Sequence, residues 1–152
     1  RQYSITATRP GYLFHSERYD VPPSAAGKTI KKDIDLSPLK GGGDRLLVFF
    51  DYDKAELKPE SYPELERVIE LLRANPDVRM RFEGHTDDQG SDDYNMDLSK
   101  RRAKTVMDYV VNGGITKTRV ESEGYGESRP LVKQTTDEAR AMNRRVEMRV
   151  IE

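Results

Sequence analysis

The chain has 152 residues, enough for one domain of ordinary size or a small domain with an appendage. Lys plus Arg total 26 and Asp plus Glu total 27, a formal net charge of −1, which argues against a nucleic-acid partner. There is no cysteine, which excludes disulfides and thiol chemistry, and no apolar run long enough to span a bilayer.

Residues 1–44 read as β-structure. Tyr3, Ile5 and Ala7 alternate, Pro10-Gly11 marks a turn, and a second strand is expected over Tyr12–Tyr19. A loop at Pro22–Gly27 leads to a third expected strand, Thr29–Leu36. About three strands do not readily enclose a core of their own, so this segment reads as the end of a truncated β-sandwich or as strands that pack on the next domain. The chain starts on Arg1 in mid-pattern, as a mature or excised fragment would, with any export signal outside it. Lys40–Asp44 carries three consecutive glycines and is expected to be a linker to a second domain, 45–152.

That domain opens on Leu46–Phe50, an apolar run that predicts a strand buried on both faces. A polar turn, Asp51–Lys54, follows. Leu65, Val68, Ile69 and Leu72 then keep helical spacing, with Ser61 and Glu64 placed for a capping box and Asn75-Pro76 as the stop. Val78, Met80 and Phe82 alternate as in a strand. The stretch Gly84–Ala103 passes from that strand through a loop dense in Asp and Gly into a helix of about Tyr94–Val111, closed by Gly113-Gly114. A strand at Arg119–Glu123, a Gly124–Gly126 turn, a polar loop, a helical turn at Asp137–Met142 and a last strand with Val146, Met148 and Val150 on one face complete the chain. The fold class is α+β: a β-α-β-α-β-β mixed sheet with the helices on one face, preceded by the β-rich segment.

One residue breaks the pattern of the second helix. With Leu98 at zero, Tyr109, Val106, Val110 and Ala103 fall on an apolar arc roughly 140° wide. Arg102 lies inside it at about 40°, beside Asn95 and Ser99. A guanidinium keeps its charge there and needs an acceptor, which Asp87, Asp88, Asp92 or Asp93 can supply. Two readings stand: an internal Arg102–Asp pair that ties loop to helix, or a half-open pair whose free faces take a zwitterionic ligand. By the same logic Arg144, on the apolar face of the last strand, needs a partner near this loop, unless it is a packing arginine satisfied within the core.

Rival chemistries are weaker. His85 near Asp87 suggests a base and its orienter, but no nucleophile motif accompanies them, and a strand-end histidine fixing a turn explains it as well. Glu83 and Asp87 as a carboxylate pair is one of many pairings such a loop permits. A calcium site over residues 87–93 is the alternative binding function, although the loop lacks EF-hand spacing.

The segments Phe49–Lys54, Leu57–Ser61, Glu83–Asp87, Tyr94-Asn95, Leu98–Ala103, Gly124–Glu127 with Pro130, and Asn143–Glu147 occur in order. As a series they resemble the OmpA-like peptidoglycan-binding domain of outer-membrane porin tails, lipoproteins and flagellar stator proteins. The resemblance implies a non-catalytic anchor to the cell wall, on the periplasmic side of a Gram-negative outer membrane. It implies no cofactor, with peptidoglycan and other envelope proteins as partners. It also implies that Asp87 and Arg102 bind the diaminopimelate of the stem peptide, with Thr86, Asn95, Leu98, Phe50, Asp51 and Arg144 around them.

Overall fold

The computed structural model describes residues 2–151. The strands are β1 (Gln2–Ala7), β2 (His15–Asp20), β3 (Gly43–Arg45), β4 (Met80–His85), β5 (Val120–Gly124) and β6 (Arg145–Val150). The helices are α1 (Tyr62–Ala74), α2 (Asp92–Asn112) and α3 (Asp137–Asn143). β1 and β2 form an antiparallel pair. The main sheet has the order β3-β6-β4-β5, with β4 and β5 parallel and the other neighbours antiparallel. This is the mixed α+β arrangement that the alternation of periods implies, with α3 grown from the expected helical turn.

Both long helices form for legible reasons. Leu65, Val68, Ile69 and Leu72 of α1 are all buried. Ser91 caps α2 by accepting the Tyr94 N–H at 3.2 Å, and Asp92 and Asp93 in its first turn complement the helix dipole. The core lies between these helices and the sheet, where Phe82, Met148, Val106 and Val110 have no exposed surface.

Four expectations are corrected. First, Leu46–Phe50 is not a strand of the sheet: pairing shifts upstream to Gly43–Arg45, which bond to β6. The glycine stretch therefore does not end in a free linker, since Gly43 and Asp44 belong to the edge strand. Second, the capping box is absent because Ser61 and Glu64 do something else. Glu64 accepts the Leu47 N–H at 2.6 Å, and Ser61 Oγ accepts the Phe49 N–H at 2.7 Å. The extended backbone that has left the sheet still needs partners, and two buried polar side chains, Ser61 just before the first helix and Glu64 in its first turn, supply them. Third, Thr29–Leu36 is irregular and its Ile30 is exposed, so its apolar alternation matches no pairing partner. Fourth, Arg144 precedes β6 and caps α3.

The N-terminal segment also reaches the main core. Leu13 and Phe14 are buried in the cluster that contains Leu46, Leu65 and Met148. Their backbone is tied down nearby, with the Leu13 N–H donating to the Ser37 carbonyl at 2.8 Å.

One close approach sets the position of α2. A Cβ on Gly84 would stand 2.2 Å from the Ser99 carbonyl oxygen, and one on Gly124 would stand 2.5 Å from the Lys100 nitrogen. Gly84 and Gly124 are register partners across β4 and β5. Together they form a bare saddle on which the middle of α2 rests, and Arg102 follows Ser99 by three residues.

Candidate functional site

At the end of β4 the chain turns across the top of the sheet. The Thr86 N–H donates to the Gly126 carbonyl at 2.8 Å, and the Gly126 N–H donates to Ser99 Oγ at 2.9 Å. These bonds tie the loop after β4 to the loop after β5 and to α2. Asn95 donates through Nδ2 to the Gln89 carbonyl at 2.8 Å, and Thr86 donates through Oγ1 to the Asp87 carbonyl at 3.0 Å. Asp87 is thereby held in place although it lies in a loop.

The resulting cleft has a volume of about 590 Å³. Of the expected site residues, Thr86, Asp87, Asn95, Leu98, Phe50, Arg102 and Arg144 line it. Asp51 does not: its carboxylate is turned out toward Lys58, 4.0 Å away, and only its carbonyl faces Arg102. Tyr52, Asp53, Gln89, Gly90 and Tyr94 also line the cleft, beyond the residues expected. Tyr52 and Asp53 sit in the turn expected to border the groove. Gln89 and Gly90 carry no periodicity that would have marked them.

The two charged residues are paired differently from either simple expectation. Arg102 has no carboxylate partner among the described residues. Its Nε donates to the Lys54 carbonyl at 2.8 Å and its Nη2 to the Asp51 carbonyl at 3.3 Å. The guanidinium also lies over the Phe50 ring, 4.9 Å from the centroid. Nη1 and one proton of Nη2 are unspent. Burial lowers the pKa of this guanidinium, Arg144 and Arg101 add to that, and Asp53 and Asp87 oppose it. A charge that cannot be shed is therefore only partly compensated.

Asp87 takes Arg144 instead. Arg144 Nη1 donates to its Oδ2 at 2.6 Å, and the Gln89 N–H donates to its Oδ1 at 3.0 Å. The expected partner of Arg144 near the loop is thus Asp87. A carboxylate accepts about four hydrogen bonds, so Asp87 retains capacity for an ammonium. Asp88 is paired with Arg140 at 2.8 Å, and Asp92 and Asp93 lie in the helix. The acids of residues 87–93 therefore do not converge on one point.

Glu83 and His85 lie elsewhere. With period two, they project from the sheet face opposite Met80 and Phe82, so Glu83 does not share the cleft with Asp87. Glu83, His85 and Glu147 approach within 4.8 Å of one another, the spacing of a possible metal site. However, Arg81 pairs with Glu83, Arg145 pairs with Glu147, and Arg149 stands 3.6 Å from Glu83. Three guanidiniums already neutralise these carboxylates, which makes a divalent cation unfavourable there. His85 stacks on Tyr125 at 5.4 Å, and its ring nitrogens find no partner among the described residues. Burial pushes its pKa down to about 4, with Arg145 contributing, so the ring is neutral at neutral pH.

The fold and this cleft define a small α+β binding domain. No helix of the described residues is long and apolar enough to cross a membrane. The chain belongs to the OmpA family, whose sequence profile matches residues 49–144. It is 45% identical over 107 residues to outer membrane porin F of Pseudomonas aeruginosa, covering 70% of this chain and 31% of that protein. It is 42% identical over 101 residues to the peptidoglycan-associated lipoprotein of Pseudomonas putida, covering 66% of this chain and 60% of the lipoprotein. Among solved structures, the cell wall anchor of the T6SS from Pseudomonas aeruginosa superposes with a TM-score of 0.60 at 30% identity, covering 66% of this chain and 73% of the anchor. The chain thus spans less than two thirds of the length of these curated relatives. As a member of this family the domain is a binding module, not an enzyme.

Proposed function

We propose that this domain binds peptidoglycan and anchors the protein that carries it to the cell wall, on the periplasmic side of a Gram-negative outer membrane. The relatives named for cell-wall attachment support the reading. Its ligand is the diaminopimelate side chain of the stem peptide. Diaminopimelate ends in an ammonium and a carboxylate on one carbon. Asp87 takes the ammonium. Arg102 takes the carboxylate through Nη1 and the unspent proton of Nη2, the end of the fork that the Asp51–Lys54 turn leaves free for a bidentate bond. Thr86 and Asn95 hold the Asp87 loop, and Phe50 and Leu98 supply the apolar wall for the methylene stem. The β-rich segment ahead of β3 docks on the rest of the domain through Leu13 and Phe14, which share its core.

The observation that carries this reading is the state of Arg102: a half-buried cation, lining the cleft, with carbonyl partners and no carboxylate among the described residues. Sedimentation with purified peptidoglycan tests it. Arg102→Ala should strongly reduce co-sedimentation while the protein stays folded. Arg101→Ala, which breaks only an exposed pair with Asp97, should bind normally. Equal loss in both variants would refute the assignment.

A further inference from the structure

Arg144 and Arg145 are adjacent and spend their donors very differently. Arg145 uses all three nitrogens: Nε on Glu147, Nη1 on the Asn143 carbonyl and Nη2 on the Arg129 carbonyl. Its side chain is only 7% exposed, and it is a structural clasp. Arg144 spends only Nη1, on Asp87. Its Nε and Nη2 make no hydrogen bond among the described residues, its side chain is 47% exposed, and it lines the cleft. A guanidinium has five N–H groups in a rigid fork, so most of this one is unspent.

A structural pair with Asp87 would need no such reserve. A lysine at this position could neutralise Asp87 as a point charge. The fork is of use only where a second planar acceptor arrives. Arg144 also stands close enough to disfavour the charge on Arg102, which an anion placed between them would relieve.

We propose that Arg144 is a specificity residue that reads a second carboxylate of the ligand, so that the cleft recognises one ammonium flanked by two carboxylates. This deepens the diaminopimelate reading and rests on it. One carboxylate is that of the free end of diaminopimelate, on Arg102. The second lies elsewhere on the stem peptide. Two groups have the right chemistry: the α-carboxylate of the neighbouring γ-linked glutamate, and the C-terminal carboxylate of the peptide. Arg144 Nη1 keeps Asp87 oriented while Nε and Nη2 meet the second carboxylate. Amidation of that carboxylate removes the charge and one acceptor, and turns a recognised ligand into a poor one.

The test is a titration of the whole chain with synthetic alanyl-γ-glutamyl-diaminopimelate tripeptides, followed by calorimetry. Three peptides are compared: the free acid, the glutamate α-amide and the C-terminal amide. One of the two amides should bind at least about tenfold more weakly, the factor expected for losing a charge-assisted hydrogen bond. The identity of that amide names the source of the carboxylate. Arg144→Gln should shrink the penalty to less than about twofold, because the reader is gone. Arg144→Lys, with charge but no fork, should keep a reduced penalty. A penalty of equal size in wild type and Arg144→Gln, or no penalty from either amide, would overturn the proposal. A fourth peptide with lysine replacing diaminopimelate reads Arg102 separately: if it binds as well as the free acid, the diaminopimelate reading fails, whatever amidation does.

Discussion

Gly84→Ala is a one-carbon change that should uncouple the site while leaving most of the fold intact. The added Cβ would stand 2.2 Å from the Ser99 carbonyl oxygen, 2.9 Å from its carbon and 3.3 Å from its Cα. All three are backbone atoms of a helix, so no side chain can rotate away. Relief to ordinary contact requires α2 to lift from β4 by about 1 Å, since packed atoms sit roughly 3.5 Å apart. Overpacking of this kind costs about 1–3 kcal/mol. The lift also carries Arg102, one turn along, away from the Lys54 and Asp51 carbonyls that orient it, and stretches the bond from Gly126 to Ser99 Oγ. A displacement of about 1 Å at a positioned group is enough to disrupt recognition even when the protein stays folded. Urea unfolding should show the loss of stability, and co-sedimentation with peptidoglycan at a temperature where the variant is folded should show a larger fractional loss of binding. If Gly84→Ala unfolds within about 0.5 kcal/mol of wild type and binds normally, the saddle does not position Arg102.

Three further outcomes follow from the same structure. Leu13→Ala should destabilise the whole domain by about 2–5 kcal/mol, measured by urea unfolding of α2 signals, because Leu13 is fully buried in the common core; a change below about 0.5 kcal/mol would mean that the N-terminal segment is not docked there. His85 has a folded pKa of about 4 against an ordinary value of 6.5, so the unfolded chain takes up its proton first, and the stabilisation is full above pH 6.5 and falls away as pH drops toward about 4. Between about pH 7.5 and pH 5 this amounts to a loss of about 2 kcal/mol, which His85→Phe should remove from the pH profile; an unchanged slope would refute it. Incubation with purified sacculi should release no soluble muropeptides, and release that disappears in Asp87→Asn would revive a hydrolytic reading.

Periodicity was informative wherever one face of an element is buried. It located α1, α2, β4 and β6, and it singled out Arg102 as a charge on an apolar arc. It misplaced the strand at residues 46–50 because an apolar run bonded to side chains of a helix looks, in sequence, like one bonded to a strand. Ser61 and Glu64 show the same ambiguity: their spacing fits a capping box, and only the tertiary position of the Leu47 and Phe49 N–H groups decides otherwise. The pairing of acids with arginines was not legible. Arg102 had four candidate acids, and the pairing of Asp87 with Arg144 instead, 57 residues away, depends on where α3 ends. Gly90 and Gln89 enter the cleft through a loop conformation that no repeat announces.

The central claim is that Asp87 and Arg102 together read the ammonium and carboxylate of one carbon. The most direct measurement is calorimetric titration with matched muropeptides that differ only in diaminopimelate or lysine at the third position. Lysine keeps the ammonium for Asp87 but leaves Arg102 without its acceptor in a partly buried cleft. Losing one member of such a pair costs on the order of 2–5 kcal/mol, toward the low end in a cleft open to water. The account predicts affinity at least about tenfold weaker for the lysine form, with the difference abolished in Arg102→Ala. Equal affinities of the two muropeptides for the wild-type protein would contradict it.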